Sequence, residues 1–465
     1  MPHAGNFVAC RMFSRTMQTK LTPLLALAFA AVAIAVAALP VAARAQPAVP
    51  GEVVVKYDNG TTRDQRAAVQ EATGTGAPEP ITRQSRVLKV RDGESVAETV
   101  RELRRKGVVE YAAPNVVARA AGFVPDDPGK GGPAGWQDVQ WNFLAESGVN
   151  APDAWENLRV RGAPGGKGVT VALLDTGVAY ADRGLFRPSP DFAGTRFTRG
   201  YDFVARDSFA DDQNGHGTFV AGLIAATTDN GIGLTGLAYR STIMPVRVLD
   251  ARGEGDAAVI EAGIRYAARR GAKVINLSLE FGTLVRAAEI PGIIDALRYA
   301  ARKGALVVAA SGNEGEQTIA YPARATRVVA VGATTKDGCV ANYSNGGAGI
   351  DLVAPGGGPD AELSKDPNCR PYEGSERPIT SLTYKRGTFR RFGLRTEEGT
   401  SMASPHVAAT AALVIASGVL GPDPTPRAIE EHLEATARDL GPSGFDDRYG
   451  AGLLDAAAAT ATPIR

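Results

Sequence analysis

An α/β fold with a mainly parallel central sheet, preceded by a small α+β unit, is what three features of the sequence predict. The run VTVALL at 169–174 is apolar, rich in β-branched residues and broken at once by Thr176-Gly177, as suits a strand buried on both faces of a parallel sheet. A long apolar helix over 402–415 follows a Gly-Thr-Ser turn and supplies a layer to cover such a sheet. Between 51 and 121 short strand and helix patterns alternate, which suits a separate α+β unit. With 465 residues, 44% of them hydrophobic, the chain can hold two or three domains and a large core.

The elements follow in chain order. Residues 1–45 read as an export signal: Arg11, Arg15 and Lys20 precede an apolar stretch over 21–39, Pro40 breaks it, and Ala43-Arg44-Ala45 places small residues for cleavage after Ala45. Met17 gives a more typical start than Met1, and an uncleaved stretch would be long enough to span a bilayer. The α+β unit then reads as strand 52–57, helix 63–73, strand 86–90, helix 95–106, strand 108–111 and a last extended piece. A linker over 120–135, with PDDPGKGGPAG, is rich in Pro and Gly and marks an exposed boundary. The net charge of +1 gives no reason to expect nucleic acid or an anionic membrane as partner.

Chemistry enters with three strings that carry Asp175 (VALLDTG), His216 (NGHGTFVAG) and Ser401 (GTSMASPHVAA). A serine hydroxyl is a poor nucleophile at neutral pH; it needs an imidazole to take its proton and a carboxylate to orient that imidazole. Asp175 stands at the carboxyl end of a strand, the edge where open α/β sheets build sites. Ser401 opens a helix, where the dipole favours developing negative charge. Of the four histidines, His3 lies in the export segment, His432 on a charged amphipathic helix, and His406 five residues beyond Ser401 on the same helix and so pointing away. Only His216 remains as base. An α/β-hydrolase elbow is excluded by order, because there the acid and histidine follow the serine. Singly, each string has an ordinary reading as a helix cap or turn.

Taken together and in this order, with AASGNEG at 309–315 between the second and third, the strings resemble those of the subtilisin-like serine proteases, over about 125–459. The resemblance implies a three-layer domain over 122–465 and a ferredoxin-like inhibitory propeptide over 46–121, matured near Arg119 to Gly122. It implies Asn313 as side-chain donor of the oxyanion hole beside the Ser401 amide. Substrate would lie along Gly253, Glu254 and Gly255 and along Ser278, Leu279 and Glu280, with Gly312 behind. Glu280 and Phe281 replace the small glycines usual there, and Glu280, Glu314 and Glu316 could make the primary pocket acidic and favour a basic residue before the scissile bond; the ordinary reading is that they face solvent. Phe219, Glu398 and Ser404 are further departures that remove no catalytic group. TTDNGIGLTG at 227–236 resembles a calcium loop, implying Asn230, the carbonyls of Thr228, Ile232 and Leu234, the carboxylate of Asp191, and Asp126 or Asp127 as ligands; a Gly-rich turn without an ion has the same signature.

Once Cys10 leaves with the signal, Cys339 and Cys369 remain, and an exported compartment favours pairing them. The run Lys385, Arg386, Arg390, Arg391, Arg395 reads as a basic hairpin. The expected product is a monomeric, secreted (extracellular or periplasmic) serine endopeptidase acting on proteins or peptides, inhibited by its own propeptide. A catalytically silent protease-like binding protein or a permanently inhibited zymogen is the competing class, because a triad needs geometry as well as residues.

Overall fold

The computed structural model describes residues 48–91, 93–116, 123–363, 365–371, 377–385 and 387–461. The export segment, the maturation boundary and Arg386 lie outside them. The described residues form two compact units, 48–116 and 123–461.

In the first unit β1 (Ala48–Tyr57), α1 (Arg63–Ala72), β2 (Thr75–Pro80), β3 (Ser85–Val90), α2 (Val96–Arg104) and β4 (Val109–Val116) follow the order βαββαβ. The sheet is antiparallel, in the order β2-β3-β1-β4, a ferredoxin-like arrangement. Alternation puts Val53, Val55, Tyr57, Leu88 and Val90 on one face, where they pack with Val69, Val100 and Leu103 of the helices. Thr62 and Gln65 cap α1 reciprocally. Two readings are corrected. TGAPEP, with no alternation to betray it, is strand β2, where an edge position tolerates Pro78 and Pro80. The short strand and the extended piece after it are one strand, β4.

The second unit contains α3 (Ala151–Val160), β5 (Thr170–Asp175), β6 (Arg196–Phe197), β7 (Tyr201–Asp202), α4 (His216–Ala225), β8 (Thr242–Arg247), α5 (Ala257–Arg269), β9 (Val274–Leu277), α6 (Pro291–Arg302), β10 (Leu306–Ala310), β11 (Val328–Thr334), β12 (Leu352–Pro355), the hairpin β13 (Ile379–Tyr384) and β14 (Phe392–Glu397), then α7 (Thr400–Ser417), α8 (Pro426–Ala435) and α9 (Ala456–Thr460). The central sheet runs β12-β11-β10-β9-β5-β8-β6, with β7 also on β8, and every pairing in it is parallel.

Successive residues of β5 go to opposite layers. Val171 and Leu173 pack with α3, α4 and α7, whereas Ala172 and Leu174 pack with α5 and α6. This two-sided burial is why the strands read as continuous apolar runs, and it makes three layers. After β5 the chain builds β6, β7 and β8 on one side and then crosses to β9 on the other, so β5 is the switch point at whose carboxyl end a crevice opens. Among the described residues no helix is long and apolar enough to cross a membrane.

Candidate active site

Asp175 is the last residue of β5 and is fully buried. The first turn of α4 comes down on it. Gly217 permits the approach, since a Cβ there would lie 2.1 Å from the Gly177 carbonyl and 3.0 Å from Asp175 Oδ1. His216 Nδ1 thereby sits 2.8 Å from Asp175 Oδ1 and 3.0 Å from Oδ2, with 23% of the side chain open to solvent. Oδ1 also accepts the Thr176 amide at 2.6 Å.

A second carboxylate, Asp212, ties the loop before α4 to the strand. It accepts from the Thr176 hydroxyl (2.9 Å), the Asn214 and Gly215 amides (2.9 Å each) and the Thr218 amide and hydroxyl (2.9 and 2.6 Å), while Gly217 N donates to Thr176 Oγ1 at 2.9 Å. The Tyr384 hydroxyl donates to the Asp212 carbonyl, and Thr383 Oγ1 to that of Gly215 at 2.7 Å. Burial pushes the Asp212 carboxyl up. For His216, burial works against charge, but the charge and hydrogen bond of Asp175, with Glu397 and Asp212 adding to them, hold the imidazole above its ordinary range. Glu397, at the end of β14, is itself raised by burial and held back by His216. Asp212 and Glu397 were missed in the sequence. Asp212 had a signal, because Asp two residues before Asn-Gly is a side-chain-capped turn. Glu397 had none, and it is this residue, rather than the exposed Glu398, whose charge acts on His216.

Ser401 lies in the first turn of α7. Its Oγ donates to the Ser278 carbonyl at 3.2 Å, and among the described residues no hydrogen bond joins it to His216. Ser278 Oγ donates back to the Ser401 carbonyl (2.8 Å); Asn276 supports Ser278 (2.9 Å) and accepts from Ser404 (2.9 Å), which gives the Ser404 departure a packing role. Asn313 Oδ1 accepts from the Thr400 amide (2.8 Å) and hydroxyl (3.0 Å), and its Nδ2 donates to Glu280 Oε1 at 3.1 Å. One cavity of about 470 Å³ brings His216 and Ser401 together with Gly253, Glu254, Gly255, Ser278, Leu279 and Glu280. Gly312 and Asn313 are outside its lining. The segments 252–255 and 278–282 are irregular chain rather than strand.

Of the three glutamates only Glu280 is partly withdrawn from solvent, while Glu314 and Glu316 are exposed. Glu280 is half-buried on Asn313, and the Glu314 carboxylate accepts from Asn345 Nδ2 at 2.5 Å. Only the Glu316 amide is engaged there, by Asn345 Oδ1 at 2.9 Å. Of the other histidines, His406 is buried between the Met402 carbonyl and Asn142 (2.8 Å each), and burial lowers it to about 4. His432 bonds the Ala459 carbonyl at 2.8 Å instead of standing free on an exposed face. Phe219 is core, with Trp141, Leu223, Ile379 and Met402. Cys339 and Cys369 form a disulfide, S–S 1.99 Å. In the basic hairpin, Arg390 is not merely solvated but donates to the carbonyls of Leu185 and Gly184 (3.2 and 3.0 Å).

The residues of the 227–236 loop, with Asp127 and Asp191, fit a hard cation. Asp127 accepts from the amides of Asp229 (2.9 Å) and Asn230 (3.3 Å), and Asp191 Oδ2 from that of Leu234 (3.2 Å). Asp191 Oδ1 is buried without a protein partner, while Asn230 Oδ1 accepts the Ile232 amide at 2.9 Å. Burial pushes Asp191 up to about 7 and Asp127 up to about 6, as expected of two carboxylates shielded from water. Asp351, Glu430 and Glu434 are a separate group, with ligand oxygens within 4.8 Å of one another.

A serine at a helix start and an Asp–His pair at the carboxyl edge of a parallel sheet are the parts a serine hydrolase needs. Residues 166–452 match the subtilase family and residues 35–115 the fervidolysin N-terminal prodomain. The chain is 33% identical over 405 residues to a thermophilic serine proteinase of Bacillus sp., covering 86% of each chain. It is 38% identical over 324 residues to subtilisin Savinase of Lederbergia lenta, covering 70% of this chain and 99% of that one. A solved protease structure from Pseudoalteromonas arctica superposes with a TM-score of 0.58 at 32% identity, over 73% of this chain and 99% of that one. The chain belongs to the subtilase family: it is a subtilisin-like serine endopeptidase carrying an N-terminal prodomain.

Proposed function

We propose that this endopeptidase is exported and made as a zymogen that processes itself, with the signal at 1–45, an inhibitory propeptide at 46–121 and the peptidase at 122–465. Asp175, His216 and Ser401 act as the triad. The observation that carries this reading is the double contact of His216 Nδ1 with buried Asp175, in a residue that lines the same cavity as Ser401. Because Asp175 fixes the proton on Nδ1, Nε2 is left as the base. Ser401 Oγ turns from the Ser278 carbonyl to His216, loses its proton to Nε2 and attacks the scissile carbonyl. His216 then gives that proton to the leaving amine, and water repeats the sequence on the acyl-enzyme. The Ser401 amide and Asn313 Nδ2 receive the oxyanion. Protein or peptide segments lie along Gly253, Glu254, Gly255 and Ser278, Leu279, Glu280, with Gly312 behind, and the mature enzyme is a secreted monomer.

A structural calcium ion fits Asp191, Asp127, Asn230 and the carbonyls of Thr228, Ile232 and Leu234. When bound it supplies charge that neutralises the two carboxylates and ties the 126–127 segment to the loop. Titration with a fluorophosphonate tests the function: matured protein should label stoichiometrically at Ser401, and Ser401→Ala expressed alone should accumulate as precursor. No labelling after propeptide removal would favour a silent protease-like protein, and maturation of the alanine variant would exclude self-processing.

A further inference from the structure

Glu280 follows β9 and Asn313 follows β10, neighbouring parallel strands, so the two loops emerge side by side at the carboxyl edge of the sheet. Asn313 spends its Oδ1 on the Thr400 amide and hydroxyl, which leaves Nδ2 as its donor group, and Nδ2 is taken by Glu280 Oε1 at 3.1 Å. The other oxygen, Oε2, is buried with no protein partner. Glu314 is its neighbour: a Cβ on Gly312 would lie 2.6 Å from Glu280 Oε2 and 2.9 Å from Glu314 Oε2, so the two oxygens share one small space above the Gly312 backbone with the Asn345 Nδ2 that donates to Glu314. Among the described residues neither carboxylate has an ion-pair partner. Burial, with Glu314 beside it, pushes the Glu280 carboxyl up.

Two like charges with an unpartnered buried oxygen attract a cation, and here one of them also holds the donor that the oxyanion requires. We infer that Glu280 is a specificity residue that couples recognition of a lysine or arginine side chain to release of the Asn313 amide. This rests on the triad and oxyanion reading above. The substrate side chain nearest the oxyanion is that of the residue whose carbonyl is attacked, so the basic group belongs immediately before the scissile bond. An ammonium or guanidinium entering beside Glu280 and Glu314 makes a charge-assisted contact with the carboxylate, weakens its hold on Nδ2 and cancels negative charge that would oppose the oxyanion. A neutral side chain must break the Glu280–Asn313 bond with no such return. Its penalty falls on the transition state and appears in kcat as well as in KM.

The test uses the matured enzyme and matched peptide anilides with arginine or its neutral isostere citrulline before the scissile bond, kcat and KM being measured separately. Wild type should favour arginine by about tenfold or more in kcat/KM. Glu280→Ala should lower kcat/KM for arginine by about tenfold and raise kcat for citrulline several-fold. In an Asn313→Ala background that rise in kcat should vanish while the arginine loss in KM persists. Glu280→Gln, of equal size, covers the case in which the alanine variant does not fold, and should likewise abolish the arginine preference. Equal effects on both substrates, or a citrulline gain that survives without Asn313, would overturn the inference while leaving the protease intact. Protein that neither labels with fluorophosphonate nor cleaves either peptide would refute the underlying reading and the inference with it.

Discussion

Asp175→Asn offers the sharpest test of the site, because the structure decides which way the new amide must face. Asp175 is fully buried, and its Oδ1 accepts the Thr176 amide at 2.6 Å. An asparagine must keep its oxygen on that donor, since a buried backbone N–H without a partner costs about 1–3 kcal/mol. Its NH2 then takes the place of Oδ2, 3.0 Å from His216 Nδ1, and sets a donor against that nitrogen where the carboxylate offered a second acceptor. Nδ1 becomes an acceptor, the imidazole proton moves to Nε2, and the base that Ser401 needs is gone. A wrong tautomer of this kind lowers turnover by about ten-thousandfold, or about 5.5 kcal/mol of barrier. The rate of fluorophosphonate labelling at Ser401, followed by mass spectrometry on prodomain-free protein, measures each molecule's own serine and is not misled by traces of wild type. A loss under tenfold at neutral pH, in a variant with unchanged melting temperature, would refute the role given to Asp175.

Three further outcomes are expected. Chelation should lower the melting temperature of matured protein by roughly 5 °C, from about 2.7 kcal/mol at a hundred times Kd and about 2 °C per kcal/mol in a domain of this size. Asp191→Ala should abolish that response, and the response should fade as pH drops through 7 towards 6, because Asp191 and Asp127 must lose their protons to bind the ion; a chelator-insensitive wild type would remove the ion. Converting Cys339 and Cys369 to serine in the Ser401→Ala background should cost about 3–4 kcal/mol in denaturant, from a crosslink spanning 30 residues, and a loss below 1 kcal/mol would contradict the loop argument. The acidic limb of kcat/KM should lie above the ordinary histidine range, since His216 works only when neutral and its neighbours favour the charged form. Removing one such neighbour with Glu397→Gln should move the limb to lower pH and raise activity on its acid side; an unmoved limb would mean that Glu397 does not act on His216.

Much of this protein is legible in one dimension, for a reason that differs by element. Strand β5 declared itself because a strand buried on both faces must be apolar throughout. Asp175, His216 and Ser401 could be read because each needs a local backbone feature written in adjacent residues: a strand end, a glycine that lets α4 approach, a helix start. The disulfide followed from the count of cysteines and the expectation of export. Contacts between segments distant in sequence were not legible. TGAPEP forms β2 only because β3 offers it an edge. Glu280 meets Asn313, 33 positions away, only because β9 and β10 lie side by side and send their loops out together. Asp212 and Glu397 act on the His216 loop and ring through packing that no local pattern encodes. The sequence by itself determined which chemistry the chain carries, since that depends on residue type and short-range geometry. The tertiary structure decided which charges surround that chemistry, because Coulomb interactions follow distance in space, and only the fold sets that distance.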